Sequence, residues 1–356
     1  MRRVRVIASI GAVFLLAAAG RASATEFVVN TVNDPGTGTC DASECTFREA
    51  LTAANTGGIR DDVITFDVTA KFISALSAFP TISSAATQGK LTIDGPGAET
   101  LSLRRSTGSF GILSTAPGSD VTIRGVTIEG GLTAGGAGGG IYNRGTLLLD
   151  RVAVVDNQAN GGGGLNNDSG ANLTVRRSTI ANNKANSGFA GAGIYSLGTL
   201  NIDRSTITGN RELGASSFDY GGGVMSAGPS TSIVSSTIAG NTDGGFGANL
   251  AVTMGTTTLT NTILADPLRS APGTPVNCGT NGVGVITSSG FNLADDTTCG
   301  LAQTSDQPGV DPGLGPLALN GGGTRTLALT ETSPAVDAGN DAGATTTDQR
   351  DEPRPS

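Results

Sequence analysis

An eight-residue pattern occurs six times between residues 121 and 264, almost always 26 residues apart, and nothing else in the chain limits its fold so tightly. The copies are 121–128, 147–154, 173–180, 200–207, 231–238 and 257–264. Counting through Ile123, Leu149, Val175, Ile202, Ile233 and Leu259, the steps are 26, 26, 27, 31 and 26. A period of this length marks a stacked repeat architecture in which each unit buries its apolar face only against its neighbours.

Each unit states its own geometry. Leu173 and Val175 alternate with polar residues, which places them on one face of a short strand. Ser178 and Ile180 continue the alternation one residue out of phase, so the chain must bend at Arg177 for both pairs to face one interior. A third apolar position follows a glycine run in each unit, at Ile141, Leu165, Ile194, Val224 and Leu250. The reading is an all-β fold, a right-handed parallel β-helix with three short strands per turn. Asn157, Asn183, Asn210 and Asn241 recur three residues after the second strand. Such a column closes a turn, because asparagine tolerates left-handed backbone and its amide can bond the next rung. The longest insertion, from Arg211 to Tyr220, is a loop of the kind in which solenoids place function.

Composition agrees: 55 glycines, no tryptophan, no histidine and 15% charged residues suit tight turns around a narrow aliphatic core. A net charge of −8 gives no electrostatic case for nucleic acid. The chain divides into a signal peptide over 1–24, an N-terminal cap with irregular first rungs over 25–90, β-helix repeats over 91–285, and C-terminal rungs with a cap over 286–356. The signal rests on Met1-Arg-Arg-Val-Arg, an apolar run from Val6 to Ala19 and Ala22-Ser23-Ala24. That run is too short to span a bilayer, so no membrane span is expected after cleavage. Localisation is therefore expected to be secreted or at the cell surface. Export turns the four cysteines into a disulfide question. They form two distant clusters, Cys40 with Cys45 and Cys278 with Cys299, so local pairing is expected, one bridge at each end. A zinc site would have no histidine to complete it.

Thr46-Phe-Arg-Glu49 is a capping box that opens a helix over Ala50 to Ala54, expected to cover the first rung and hide its open edge. The stretch Cys45-Thr-Phe-Arg-Glu-Ala-Leu-Thr-Ala-Ala-Asn55 resembles the CSLREA motif at the start of exported bacterial β-helix proteins. The C-terminal blocks Asp311-Pro-Gly-Leu314, Asn320-Gly-Gly, Ser333-Pro-Ala-Val-Asp337-Ala-Gly339 and Thr347-Asp-Gln-Arg350 are similar to the choice-of-anchor Q group. These ends make up about a third of the chain; the repeats between them are of the generic pectate-lyase-like kind. The resemblance implies a secreted or surface-attached β-helix and supplies no catalytic residues. Such proteins usually continue to a sorting or anchoring tail, whereas this sequence stops at Arg354-Pro-Ser356.

Repeated charge gathers in one place. Arg124, Asp150, Arg176 and Asp203 follow the first inward pair and point outward, with Arg151, Arg177 and Arg204 at the corner beside them. On rungs about 4.8 Å apart, opposite charges alternate up the column. The resemblance to the pectate-lyase-like fold, whose enzymes use carboxylates, often with Ca²⁺, and an arginine or lysine on acidic sugars, implies Asp150, Arg176, Asp203 and Arg204 as the candidates for such chemistry, with Ca²⁺ as its cofactor. The competing reading is a solvated ladder, each pair contributing about 0.2–1 kcal/mol. The ladder is favoured, because Ca²⁺ takes about six to eight oxygens and arginines flank both aspartates. Tyr142 and Tyr195 are candidate outer platforms for sugar. Asp61-Asp62 and Asp295-Asp296 are adjacent carboxylates whose side chains should diverge. The glycine runs lack the Lys-Ser/Thr of a phosphate loop, and histidine-dependent nucleophilic catalysis is excluded. An outward threonine column, Thr179, Thr206 and Thr237, raises ice binding, although only Thr206 and Thr208 form a pair. The sequence thus points to a non-enzymatic structural or adhesive protein, with cell-surface components or extracellular polysaccharide as partners and no cofactor. The alternative is a polysaccharide lyase, hydrolase or binder.

Overall fold

The computed structural model describes residues 24–36, 38–56, 61–83, 89–186, 191–214, 220–270, 272–340 and 346–354. The expected signal peptide falls, apart from Ala24, outside the described residues, and so does the middle of the 211–220 insertion.

The chain is a parallel β-helix. A first sheet stacks ten strands from Glu26–Val29 to Val285–Ser288, and a second stacks ten from Phe72–Ala75 to Gln307–Pro308. A third contains seven, from Leu113–Ser114 to Cys278–Thr280. Registers follow the repeat: Leu147 pairs with Leu173 and Leu173 with Leu200, while Val154 pairs with Ile180 and Ile180 with Ile207. All of these are buried, as are Ile141, Leu165, Ile194 and Val224 on the third sheet. The 31-residue step leaves the register intact, since Leu200 still pairs with Thr231.

The turn differs from expectation in one respect. Five central rungs add a fourth, two-residue strand after the asparagine, from Gln158–Ala159 to Leu268–Arg269. Two residues present a single inward side chain, so there is no alternation in the sequence to reveal them.

The bend at Arg177 is a left-handed residue with φ 49°, and Gly125, Arg151, Arg204, Ser235, Asn261 and Phe291 repeat it in the other rungs. Past the next corner the asparagines form a buried ladder. The amide of Asn157 donates to Asn183 at 3.0 Å, Asn183 to Asn210 at 2.9 Å and Asn210 to Asn241 at 2.9 Å. In the next rung Pro267 occupies the turn position and can offer no amide. Asn241 then donates to Asn249 at 2.8 Å and Asn249 to Asn277 at 2.6 Å. Asn249 and Asn277 stand where earlier rungs carry Gly164, Gly193 and Gly223. There the asparagine side chain from the turn fills the space, and a Cβ on Gly223 would lie 2.9 Å from the amide nitrogen of Asn241. Two further ladders line the interior. Ser178, Ser205 and Ser236 accept amides from the preceding rung at 3.1, 3.2 and 3.1 Å. Thr115, Asn143, Asn167 and Ser196 link one to the next at 2.7, 2.8 and 3.0 Å.

The N-terminal helix, Phe47–Thr56, forms from the expected capping box. The Glu49 amide donates to Thr46 Oγ1 at 3.2 Å, and the Thr46 amide donates to the Glu49 carboxylate at 2.9 Å. Its buried face, Phe47, Ala50 and Leu51, closes the core, with Phe47 against Phe66 and edge-on to Phe79. The disulfides are Cys40–Cys45 and Cys278–Cys299.

After the last rung the chain runs back along the outside of the helix. A hairpin of Leu314–Ala318 and Thr326–Leu329, then residues 346–354, lie against the corner and outer face of the second sheet. Arg325 pairs with Glu99 at 3.0 Å near one end of this path, and Asn340 bonds Asn261 at 2.9 Å near the other.

Candidate functional site

The outward charge column sits under this returning segment. Asp150 is 2% exposed. It accepts from Arg176 at 2.9 Å and from Arg177 at 2.9 and 2.7 Å. Asp351 of the tail bridges the same corner, accepting from Arg151 and Arg177 at 2.7 Å each. Arg204, also buried, holds its neighbour Asp203 at 2.9 Å and donates to Thr347 at 3.0 Å. Gln349 accepts from Thr206 at 2.7 Å and donates to Thr324 at 3.0 Å, while Thr179 donates to the Arg325 carbonyl at 2.6 Å.

The four candidates are thus divided. Asp150 meets Arg176 at 2.9 Å, and Asp203 meets Arg204 at 2.9 Å. Electrostatics agree with a structural role. Burial alone would raise the Asp150 carboxyl, but hydrogen bonds from Arg177 and Arg176 outweigh it and hold the group below the ordinary carboxylate range. Asp351 behaves alike: burial opposes, and Arg151 and Arg177 prevail. The expected solvated ladder is corrected on this point, because its central aspartate is covered. The residues that sequence reasoning missed are Asp351, Gln349 and Thr324. The signal available was the tail block 347–350 itself.

Other candidates resolve into local roles. Asp61 and Asp62 accept the amides of Lys90 and Thr25. Asp295 and Asp296 accept the amides of Asp266 and Asn277. Tyr142 donates to Asp168 at 2.9 Å. Tyr195 packs into a small outer cluster with Met225, Ala251, Tyr220 and Phe246, the last two edge-on. Thr179 and Thr206 lie under the tail, so no open threonine face results.

A cleft of about 750 Å³ lies between the tail and the C-terminal rungs of the second sheet. Thr206, Thr237, Asn261 and Phe291 line its solenoid side, and Leu327, Asp337, Asp348, Arg350 and Arg354 its tail side. Phe291 holds the left-handed corner with φ 60°, at a cost of about 1–2 kcal/mol for a residue with a side chain. Asp348 and Arg350 pair with each other at 2.7 Å. The lining mixes hydroxyl, amide and charged side chains with Phe291 and Leu327. Among the described residues, no three acidic, cysteine or histidine side chains gather as a metal centre. No family model, no curated protein and no solved structure matches the chain.

Proposed function

We propose that this protein is exported and acts outside the cell as a structural or adhesive β-helix, in the manner of the CSLREA and choice-of-anchor Q proteins that its ends resemble. The observation that carries the reading is the fate of the repeated charge. Asp150, Arg151, Arg177 and Arg204 hold the C-terminal segment in place through Asp351 and Thr347. Asp150, the one carboxylate among them, is covered and bound by Arg176 and Arg177, which keeps it from a substrate. Two disulfides and three interior ladders favour a rigid body suited to an oxidising exterior.

Expression in a bacterial host with fractionation of cells and medium tests export, and the mature N-terminus should begin near Thr25. Purified protein should release no unsaturated uronate from pectate or alginate. Release that falls on replacement of Arg176 or Asp203 would overturn the structural reading in favour of a lyase. A second reading, retention of polysaccharide without cleavage, is favoured by the cleft and its strained aromatic. Under that reading Phe291→Ala should weaken retention on a glycan panel about tenfold with the fold unchanged.

A further inference from the structure

A cavity of about 300 Å³ lies over the N-terminal rungs of the second sheet, under Leu317 and Arg325 of the hairpin. Ser102–Arg105, Thr127–Glu129 and Ala153–Val155 pair side by side beneath it. Leu103, Ile128 and Val154 are buried in the core, so the alternate residues turn outward, and Ser102, Thr127 and Glu129 line the cavity. Asp156 joins them from the next corner, where its φ is 56°. Ser102 is only 2% exposed, yet its hydroxyl has no hydrogen-bond partner. Thr127, beside it on the next rung, donates to the Ala98 carbonyl at 2.6 Å. A buried hydroxyl that faces a cavity without a partner in the chain is one that a ligand can satisfy. Among the described residues, neither the Glu129 nor the Asp156 carboxylate takes part in a hydrogen bond or an ion pair. Desolvation by the surrounding wall and then the like charge of Glu129 push the Asp156 carboxyl up, and Lys184 opposes them. The cavity's own cations are engaged elsewhere: Arg325 pairs with Glu99 at 3.0 Å, and the Lys71 ammonium stands 5.9 Å over the Phe72 ring.

We propose that this cavity binds a hydroxylated primary amine, an amino-sugar unit, with its ammonium against Glu129 and Asp156 and a hydroxyl on Ser102 Oγ. An ammonium has three donors and no acceptor, which suits two carboxylates that receive no donor from the chain, and its charge relieves their repulsion. Ser102 and Glu129 are one rung and two residues apart, about 8 Å between Cα atoms. Their side chains and one sugar ring can close that gap, and the cavity is at the lower limit of small-molecule sites. A neutral sugar would leave the carboxylates unrelieved. Ca²⁺ takes about six to eight oxygens, and no three acids gather here among the described residues. The site depends on neither export nor the larger cleft.

The test titrates the full mature chain at about pH 6.5 with glucosamine, N-acetylglucosamine, glucose and a β-1,4-linked glucosamine trimer, read by ligand-observed NMR. Glucosamine should bind, with both uncharged sugars at least tenfold weaker. A trimer at least tenfold tighter than the monomer would place the amino sugar in a polymer; no gain would point to the free sugar. Glu129→Gln and Asp156→Asn should each weaken glucosamine at least fivefold and Ser102→Ala about threefold, while Glu331→Gln, an exposed control, should not. Three results would overturn the proposal: no glucosamine bound, an uncharged sugar bound equally well, or wild-type affinity in all three cavity variants. The first two are read on the wild-type chain and hold even if a variant fails to fold.

Discussion

Single residues decide where this chain turns. The first corner needs left-handed backbone in every rung, and it takes that conformation from Gly125, Arg151, Arg177, Arg204, Ser235, Asn261 and Phe291 alike. An L-residue there gives up about 1–2 kcal/mol, which the flanking inward pairs enforce. Ser235 shows this most simply, because its side chain takes part in no ladder. Ser235→Val should lose about 1–2 kcal/mol in urea unfolding, β-branching being poorly tolerated at positive φ, whereas Ser235→Gly should be neutral or slightly stabilising. Asn183 answers to a different constraint. It accepts from the Asn157 amide and side chain and donates to the Val154 carbonyl and to Asn210. Asn183→Ala leaves several buried groups unpaired at about 1–3 kcal/mol each. A loss of about 3 kcal/mol is expected from the same measurement; less than 1 kcal/mol would mean that the ladder follows from the fold and does not support it.

At the scale of elements, the docked C-terminal segment is held by charge, so its stability should depend on pH. Asp150 and Asp351 both have carboxyls below the ordinary value of 3.8. A depressed carboxyl stabilises the folded state above the unfolded pKa, and that contribution is lost as pH falls through the folded value. Hydrogen-exchange protection of residues 346–354 should therefore be constant from pH 7 to about 5 and fall below pH 4. Asp351→Asn should lower protection of this segment by about 1 kcal/mol at pH 7, since its carboxylate is partly exposed and screened, and should flatten the pH dependence. If the variant's protection matched wild type, the corner pairs would not hold the tail. Sequence reading reached some of these elements and not others, for a consistent reason. The bend at Arg177 and the capping helix were legible because each depends on residues a few positions apart, and the Asn157 to Asn241 column because the repeat returns one asparagine per rung. The fourth strand was too short to carry a period. The shift of the ladder to Asn249 depends on Pro267 coming next to it only when the rungs stack. The latch joins Arg151 to Asp351, two hundred residues apart, so Asp150 read as an open rung although it is covered.

Over the whole molecule, rung stacking makes stability a sum of neighbour terms, and the ends are where that sum is smallest. The N-terminal rung is shielded by Phe47 and Leu51 of the helix. The other end is barer: Val285 of the last first-sheet strand is 51% exposed, and that sheet has no strand beyond it. Fraying should begin there. The Cys278–Cys299 bridge encloses this last turn, Val285–Ser288 and Leu293–Ala294 included, within a separation of 21 residues. Closing a loop of that size restricts the opened state by about 3 kcal/mol. A Cys278→Ser, Cys299→Ser double variant should keep its fold. Its amides in Val285–Ser288 and Leu293–Ala294 should lose about 2–3 kcal/mol of exchange protection, while Asn172–Arg176 and Thr199–Asp203 keep theirs. Equal loss in all four strands would show instead that the solenoid opens as one cooperative unit, with the bridge acting on global unfolding and not on the end it encloses.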